Sequence, residues 1–368
     1  MRIVVKIGSN IVTKGGDGLN ERRVRAIAAG VARLQGMGHE VVIVSSGAIA
    51  AGMKRLGLKS KPRDIMGKQA SAAVGQPALM WLYERSFKRF GKTVAQVLLT
   101  RDGLSDRVPY INSKNTLRAL IARGVVPVIN ENDTVATDEI RFGDNDQLAA
   151  MVAALIEADR LVILSDVAGL YTEDPRRNPK ARLIRTVESI TDDIRKKARP
   201  SSGSAVGTGG MYSKLLAAER AMRAGITVNI IDGSKPRLLV SLIRGGRHGT
   251  EFRPRESRLP ARKGWIAFGI RTKGSLVLDD GAVKALTELG RSLLPSGIVA
   301  VEGAFHTGDA VYCLDARGNR LAKGLANYSS AEISKIKGKK TSEIEQALGY
   351  RYSDEVIHRD NVVILKGS

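Results

Sequence analysis

The first 250 residues alternate between short apolar runs and longer stretches in which apolar positions recur at helical spacing. The short runs are rich in β-branched residues, which predicts buried strands at 3–7, 41–45, 94–99, 125–129, 160–164 and 227–231. The longer stretches predict helices at 21–37, 68–90, 113–123, 147–158 and 214–224. Strands that alternate with helices in this way predict an α/β domain whose mostly parallel sheet is sandwiched by helices.

The pattern changes beyond residue 245. The segment 245–263 combines glycines and prolines with many arginines and few apolar residues, which predicts a linker. Shorter β-like segments follow at 265–270, 275–278, 297–302, 310–314, 320–325 and 362–365, with helices at 281–289, 330–336 and 341–348. We therefore predict an α/β domain at 1–250, a linker at 251–270 and a small α+β or barrel-like domain at 271–368.

Polar residues gather where the predicted strand 125–129 ends. The run Pro127-Val-Ile-Asn-Glu-Asn-Asp133 changes from apolar to polar, and Gly143-Asp-Asn-Asp146 follows at the start of a predicted helix. Ligands of open α/β sheets bind at the carboxyl ends of strands, so these carboxamides and carboxylates suit a small polar substrate that carries an amine. Turn formation, or helix capping by Asn145 or Asp144, would explain either cluster alone.

Two further strand ends carry glycines beside small or cationic residues. Lys6 and Gly8 end the first strand, where a glycine lets the backbone approach a bound anion and the lysine supplies a positive charge. Gly47 and Gly52 follow the second strand among small residues, which predicts exposed backbone N–H groups at a helix start. A lysine at a strand end, and close packing of a helix against a strand, are the structural alternatives.

The segment Gly207-Thr-Gly-Gly-Met-Tyr-Ser-Lys214 is a glycine-rich loop that opens a predicted helix. Such a loop suits a polyphosphate, although a flexible surface turn would have the same composition. It matches neither the Walker A pattern nor the Rossmann fingerprint, whose last glycine is replaced by Tyr212. Ser165 and Asp166 follow another strand and would either contact a nucleotide or cap the next turn.

Together these loops predict a phosphoryl-transfer site, because that chemistry needs positioning and charge neutralisation more than a covalent intermediate. No metal site is expected in the protein itself, since the histidines lack metal-ligand spacing; they are His39, His248, His306 and His358. The single cysteine, Cys313, lies in a predicted strand and is expected to be a small core residue.

The net charge of +22 raises the question of a nucleic-acid partner. Residues 1–250 contain 40 Lys and Arg against 23 Asp and Glu, whereas residues 271–368 contain 14 against 12. The excess therefore belongs to the large domain, where it either attracts anionic substrates or reflects a composition bias. No apolar run approaches the ~18 residues of a membrane span, and we expect a cytoplasmic protein.

The motifs resemble those of the amino acid kinase family, and in particular its branch that phosphorylates the γ-carboxylate of L-glutamate at the start of proline synthesis. The resemblance covers the chain from end to end. It is carried by Lys6-Ile-Gly-Ser9, Ser46-Gly-Ala-Ile-Ala-Ala-Gly52, Pro127-Val-Ile-Asn-Glu-Asn-Asp133, Gly143-Asp-Asn-Asp146, Ser165-Asp166, Gly169-Leu-Tyr171 and Thr208-Gly-Gly-Met-Tyr-Ser-Lys214. The segment from Arg271 is similar to the PUA domain, a module familiar from RNA-modifying proteins.

The resemblance implies roles for individual residues. Lys6 and Lys214 would be catalytic by neutralising the transferred phosphoryl group, and Asp146 would hold both lysines in place. Glutamate would be bound by Ser46, Asp133 and Asn145. ATP would be bound by Lys6, Gly8, Gly47, Ser165, Asp166, Thr208, Gly209, Gly210, Met211, Tyr212, Ser213 and Lys214, with Gly8 and Gly47 donating backbone N–H groups to the phosphates.

The resemblance also implies ATP as co-substrate with Mg²⁺, proline as a feedback inhibitor, and a homo-oligomer. Two alternatives remain at this stage. One is an amino acid kinase that acts on acetylglutamate, aspartate, carbamate or UMP, against which Asp133 argues because an acetylated amine has no charge to pair. The other is an RNA-binding or RNA-modifying protein, against which the near-neutral charge of 271–368 argues.

Overall fold

The computed structural model describes residues 1–13, 18–136, 145–175, 178–198, 210–254, 266 and 270–365. The chain forms two compact units, Met1–Arg258 and Leu259–Ser368. Most of the predicted linker lies outside the described residues, so its boundaries stay a prediction. No helix in the described part of the chain is long and apolar enough to cross a membrane.

The first unit is built on an eight-stranded sheet. Its strands are β1 (Arg2–Ile7), β2 (Glu40–Ser45), β3 (Val94–Leu99), β4 (Val126–Glu131), β5 (Arg160–Ser165), β6 (Thr186–Val187), β7 (Thr227–Asp232) and β8 (Thr250–Phe252). They lie in the order β3-β4-β2-β1-β5-β7-β8-β6, and the first six are mutually parallel. The carboxyl ends of these six strands therefore meet at one edge of the sheet.

Helices separate the strands along the chain. They are α1 (Ser9–Val12), α2 (Glu21–Gly36), α3 (Ala48–Arg55), α4 (Ile65–Lys88), α5 (Arg101–Ser105), α6 (Arg107–Ala122), α7 (Asn145–Leu155), α8 (Asp192–Ala198), α9 (Met211–Arg223) and α10 (Arg237–Ile243). Buried branched side chains from β1, β2 and β4 pack against apolar faces of α2 and α4 to form the core of this unit. The predicted α/β architecture is confirmed.

Most predicted elements agree with the structure to within a few residues, and the differences have local causes. Helix α6 begins at Arg107, well before the predicted residue 113. Pro109 does not prevent this early start, because it lies in the first turn of the helix, where proline is tolerated. The segment predicted as a linker contributes β8, since the side chains of Thr250 and Phe252 are fully buried against β7. Helix α10 was not predicted as a separate element.

The second unit contains a five-stranded sheet. Its strands are β9 (Thr272–Leu278), β10 (Ile298–Gly303), β11 (Ala310–Leu314), β12 (Arg320–Leu325) and β13 (Val362–Ile364), in the order β10-β9-β11-β12-β13. Helices α11 (Asp280–Thr287), α12 (Ser330–Ile336) and α13 (Ile344–Leu348) accompany it. Cys313 is fully buried in this core, as predicted. Burial raises the pKa of its thiol to about 12, so the thiol stays protonated near neutral pH.

Candidate active site

Three buried charged side chains meet at the carboxyl edge of the large sheet. Lys6 is the penultimate residue of β1, Asp146 lies in the first turn of α7, and Lys214 lies in the first turn of α9. The Lys6 Nζ lies 2.5 Å from Asp146 Oδ1, and the Lys214 Nζ lies 3.1 Å from Asp146 Oδ2. The structure therefore brings together the three predicted catalytic residues, although 208 positions separate the first from the last in sequence.

The charge of this cluster determines which ligand it suits. Two ammonium groups share one carboxylate, and all three side chains are at most 5% exposed. Burying a charge is unfavourable unless it is paired, and Asp146 pairs with both lysines at once. Among these three side chains the positive groups outnumber the negative one, and attraction for an anion is strong where little water is present. A phosphoryl group in transfer is such an anion.

The first turn of α9 supports the cluster. The Ser213 hydroxyl lies 3.1 Å from Asp146 Oδ2, and Gln147 Nε2 donates to the Ser213 carbonyl at 3.3 Å. Helices α7 and α9 pack against each other, so these contacts tie the two helix starts together. Gly210 precedes α9, and Met211 and Tyr212 begin it. Their backbone N–H groups belong to the open first turn of a helix, where anions bind.

Two members of the predicted ATP set, Thr208 and Gly209, lie outside the described residues, as do Gly143 and Asp144 of the predicted polar cluster. The roles inferred for them stay predictions.

The end of β5 lies beside the end of β1. The Ser165 hydroxyl donates to Asp166 Oδ1 at 3.3 Å, and Asn10 Nδ2 donates to Asp166 Oδ2 at 3.1 Å. Asn10 was not predicted as a site residue, although it follows the first glycine turn directly. The contact shows that α1 and the β5 loop share one polar surface, next to the Lys6 end of the sheet.

The glycines at the strand ends have contacts that the sequence did not indicate. The Gly8 N–H already donates to the Leu164 carbonyl at 3.2 Å, so it binds a phosphate only if that bond is exchanged. A Cβ at Gly8 would lie 3.9 Å from Lys6 Nζ, so the missing side chain leaves room beside the lysine. Gly47 precedes α3 with φ of 106°, in the left-handed region that favours glycine.

Gly52 belongs to a helix contact and not to a phosphate loop. A Cβ there would lie 1.7 Å from the Ser71 carbonyl oxygen, and a Cβ at Gly75 would lie 1.9 Å from the Ala48 carbonyl oxygen. The two glycines thus let α3 and α4 approach until their backbones touch. Close packing, which was one of the alternatives, explains Gly52, but the partner is a helix and not a strand.

The predicted glutamate-binding residues Ser46 and Asn145 are in contact. Asn145 Nδ2 lies 3.2 Å from the Ser46 hydroxyl, 2.6 Å from the Ser45 carbonyl oxygen and 2.7 Å from Asn130 Oδ1. All four residues are buried. Asn130, from the polar end of β4, was not among the predicted site residues, even though the motif that contains it was the clearest signal in the sequence.

Asp133 lies in the turn that follows β4. Burial raises the pKa of its carboxyl to about 6, and the positive charge of Lys61 opposes that shift. The pKa of Lys61 is lowered, mainly by burial and by the like charge of Lys68. A desolvated acid suits a cationic ligand such as an ammonium group. Lys61 was not predicted as a neighbour of the site.

No group of three or more His, Cys, Asp or Glu side chains that would hold a metal ion is found within the described residues.

Two family models match this chain. Residues 1–232 match the Amino acid kinase family, and residues 274–348 match the PUA domain. A relative from Geobacter sulfurreducens, "Glutamate 5-kinase", is 50% identical over 364 residues, which cover 99% of this chain and 97% of the relative. A "Glutamate 5-kinase" from Thermus thermophilus is 52% identical over 363 residues, with the same coverage.

The chain belongs to the glutamate 5-kinase branch of the amino acid kinase family. The family resemblance drawn from the motifs is thereby confirmed, together with the PUA domain. Among solved structures, "Carbamate kinase from Giardia lamblia bound to AMP-PNP" is similar, with a TM-score of 0.50 and 17% identity. The match covers 68% of this chain and 98% of the carbamate kinase chain. At 17% identity it supports the amino acid kinase fold alone.

Proposed function

We propose that this chain transfers the γ-phosphoryl group of ATP to the γ-carboxylate of L-glutamate, giving L-glutamyl 5-phosphate in the first step of proline synthesis. The observation that carries the proposal is the buried Lys6–Asp146–Lys214 cluster at the carboxyl edge of the sheet. The chain that contains this cluster is about half identical, over nearly its full length, to relatives that are named for this activity.

The chemistry needs no general base. A γ-carboxylate has a reference pKa of about 4.3 and is already ionised near neutral pH. The obstacle is the repulsion between two anions, the attacking carboxylate and the triphosphate, which Lys6 and Lys214 reduce. The attacking oxygen forms a bond to the γ-phosphorus while the bond to the ADP oxygen breaks. Asp146 touches neither anion; it fixes both ammonium groups in place.

ATP occupies the side of the site formed by the ends of β1 and β5 and the start of α9. Ser165, Asp166 and the segment 208–214 contact the nucleotide. Gly8 and Gly47 donate backbone N–H groups to its phosphates, for which the Gly8 N–H exchanges its bond to Leu164. Mg²⁺ bound to the phosphates and water adds positive charge, in keeping with its preference for phosphate oxygens and water as ligands.

Glutamate occupies the side formed by the ends of β2 and β4. Asp133 pairs with the α-ammonium group, and Ser46 and Asn145 provide hydrogen bonds. The raised pKa of Asp133 supports this role, because a cation that binds beside a desolvated carboxylate restores its charged form. An N-acetylated substrate would lack that cation, so acetylglutamate is expected to be a poor substrate.

We propose further that the enzyme is a cytoplasmic homo-oligomer inhibited by proline, the end product of the pathway. Among the residues that the structure describes, β3 is the strand at one edge of the large sheet, and α4 packs against it. The apolar side chains of Leu98 on β3 and Trp81 on α4 are exposed there. Exposed apolar groups beside an unpaired strand suit an interface between copies.

RNA binding by residues 271–368 is not part of the proposal, because their charge is close to neutral. The isolated segment, titrated with structured and single-stranded RNA near physiological salt, is expected to bind weakly. Tight and sequence-selective binding would contradict this.

The decisive test of the activity traps the product. Purified protein is incubated with ATP, Mg²⁺, L-glutamate and hydroxylamine, and γ-glutamyl hydroxamate is measured. We expect ATP-dependent product with glutamate and little with acetylglutamate, aspartate or bicarbonate plus ammonia. A preference for one of the other substrates would move the chain to another activity of the same fold.

A further inference from the structure

Behind the glutamate-binding residues lies a chain of buried amides that begins on α4. Gln76 Oε1 accepts a hydrogen bond from Asn130 Nδ2 at 2.8 Å, and Asn130 Oδ1 accepts one from Asn145 Nδ2 at 2.7 Å. Gln76 is 9% exposed, and the two asparagines are more deeply buried. The chain of amides thus connects a helix of the core to a residue that contacts Ser46.

Two backbone groups show which way each amide in this chain faces. The Glu131 N–H donates to Asn130 Oδ1 at 2.9 Å, and a backbone N–H can only donate. Asn130 must therefore turn its oxygen toward Glu131 and its nitrogen toward Gln76. At the other end, Asn145 Nδ2 lies 2.6 Å from the Ser45 carbonyl oxygen, which can only accept.

The two constraints agree, and they determine which atom Asn145 offers to a ligand. Its Nδ2 has two hydrogens, and these are shared among three protein acceptors, on Ser45, Ser46 and Asn130. No hydrogen of this amide remains for a substrate carboxylate. The remaining group is the Oδ1 oxygen, which accepts hydrogen bonds and so favours the α-ammonium group of an amino acid.

Gln76 contributes to this arrangement through its oxygen alone. Its Nε2 is buried and has no hydrogen-bond partner among the described residues. A buried donor without a partner opposes folding, so stability does not explain a glutamine at this position. An oxygen acceptor aimed at Asn130 does explain it, because Asn130 would otherwise lose the partner that holds its nitrogen.

Helix α4 is well placed to hold Gln76 still. Gly75, the preceding residue, lies in backbone contact with α3, so α4 is fixed against the helix that follows Ser46. Further along α4, the buried Tyr83 hydroxyl lies 2.8 Å from the Ser45 hydroxyl. The same helix therefore contacts both ends of the substrate-binding network.

We propose that Gln76 is a positioning residue: through Asn130 it holds the Asn145 amide with its oxygen toward the substrate, and so makes the site select an α-ammonium group. The inference rests on the proposed function, since it assigns the selectivity of the same glutamate site. It attributes to Gln76 no contact with substrate and no contact with ATP.

The test compares L-glutamate with glutarate, which has both carboxylates and lacks the amine. Gln76→Met removes the acceptor at similar volume, so that Asn130 Nδ2 loses its partner and the Asn130 side chain is held less firmly. We expect the ratio of kcat/KM for glutamate to that for glutarate to fall at least tenfold, through a higher KM for glutamate and with the KM for ATP unchanged. Gln76→Glu keeps an oxygen toward Asn130 and should retain the ratio within about threefold.

Ser86→Ala is the matched control, because Ser86 is also a buried polar residue of α4, and its hydroxyl donates to the Leu82 carbonyl of its own helix. Its ratio should equal that of the unchanged protein. An unchanged ratio in Gln76→Met, with only a lower melting temperature, would show that Gln76 is merely structural. Loss of glutamate selectivity in Gln76→Glu would show that Nε2 is the active group, and would also overturn the proposal.

Gln76→Glu remains decisive if Gln76→Met does not fold. Absence of any glutamate phosphorylation in the unchanged protein would instead refute the proposed function, so the two failures are distinguishable.

Discussion

Replacement of Lys214 by alanine tests the charge argument at its centre. The Lys214 Nζ lies 3.1 Å from Asp146 and is almost fully buried, so its charge acts through little water. At an effective dielectric constant of about 20, two unit charges about 4 Å apart interact by about 4 kcal/mol. Loss of one such donor typically lowers kcat by about 10²–10³, which is the decrease we expect.

Glutamate affinity should change little, because Lys214 acts on the phosphoryl group and the glutamate residues lie on the side of β2 and β4. Turnover is measured by hydroxamate formation, and glutamate binding is measured by calorimetry without ATP. A thermal melt shows whether the variant is folded. Lys114→Ala is the control. Lys114 lies on α6 and is not a proposed site residue, but it also pairs with an acid, Glu157, at 2.8 Å.

Two results would refute the reasoning about Lys214. One is a loss of glutamate affinity as large as the loss of turnover, which would place the lysine in the glutamate subsite. The other is full activity, which would mean that Lys6 alone neutralises the transferred group. Lys214→Arg should not rescue turnover, because a planar guanidinium does not replace a compact ammonium group in a closed site.

The remaining predictions concern the glutamate site and the two units. Asp133→Asn should raise the KM for glutamate by at least tenfold with a smaller effect on ATP, because the substrate ammonium loses its charged partner; unchanged glutamate dependence would remove that role. Burial raises the pKa of Asp133 to about 6, so the carboxylate is lost as the pH falls through 6. The KM for glutamate should therefore rise as the pH is lowered from 7.5 to 5.5. This rise should be absent in Asp133→Asn. Gly75→Ala should lower the melting temperature and glutamate affinity together, because its Cβ would force α4 away from α3; an unaffected melt would contradict the close contact. A chain that ends at Gly264 should keep kinase activity, since every proposed site residue precedes Gly245; an inactive but folded product would show that the second unit is required.

Local patterns in the sequence were sufficient for the element order and for the edge of the sheet that carries the chemistry. Buried parallel strands need continuous apolar runs, and such runs must end where the backbone reaches solvent or a ligand. The abrupt change after Ile129 therefore indicated a candidate site before any distance was known. The glycine-rich segment before Lys214 did the same for the proposed nucleotide side. Each of these signals is contained within a few neighbouring residues of the sequence.

Other features depend on contacts between distant segments, which no local pattern contains. Gly52 resembled part of a phosphate loop until the structure placed it against α4. The bond from the Gly8 N–H to the Leu164 carbonyl joins two strand ends that are far apart in sequence. Lys61 and Gln76 gave no signal at all, because each acquires its importance from a partner more than fifty residues away.

The sequence by itself determined which residues reach the carboxyl edge of the sheet, because strand direction and strand ends follow from the apolar pattern. Only the tertiary structure decided which of them touch and in which orientation. Lys6, Asp146 and Lys214 form one cluster because parallel pairing aligns β1 with its neighbours, and because α7 and α9 pack together. The direction of the Asn145 amide can be read from two backbone groups, Glu131 N–H and Ser45 C=O, and in our proposal Gln76 holds it through Asn130.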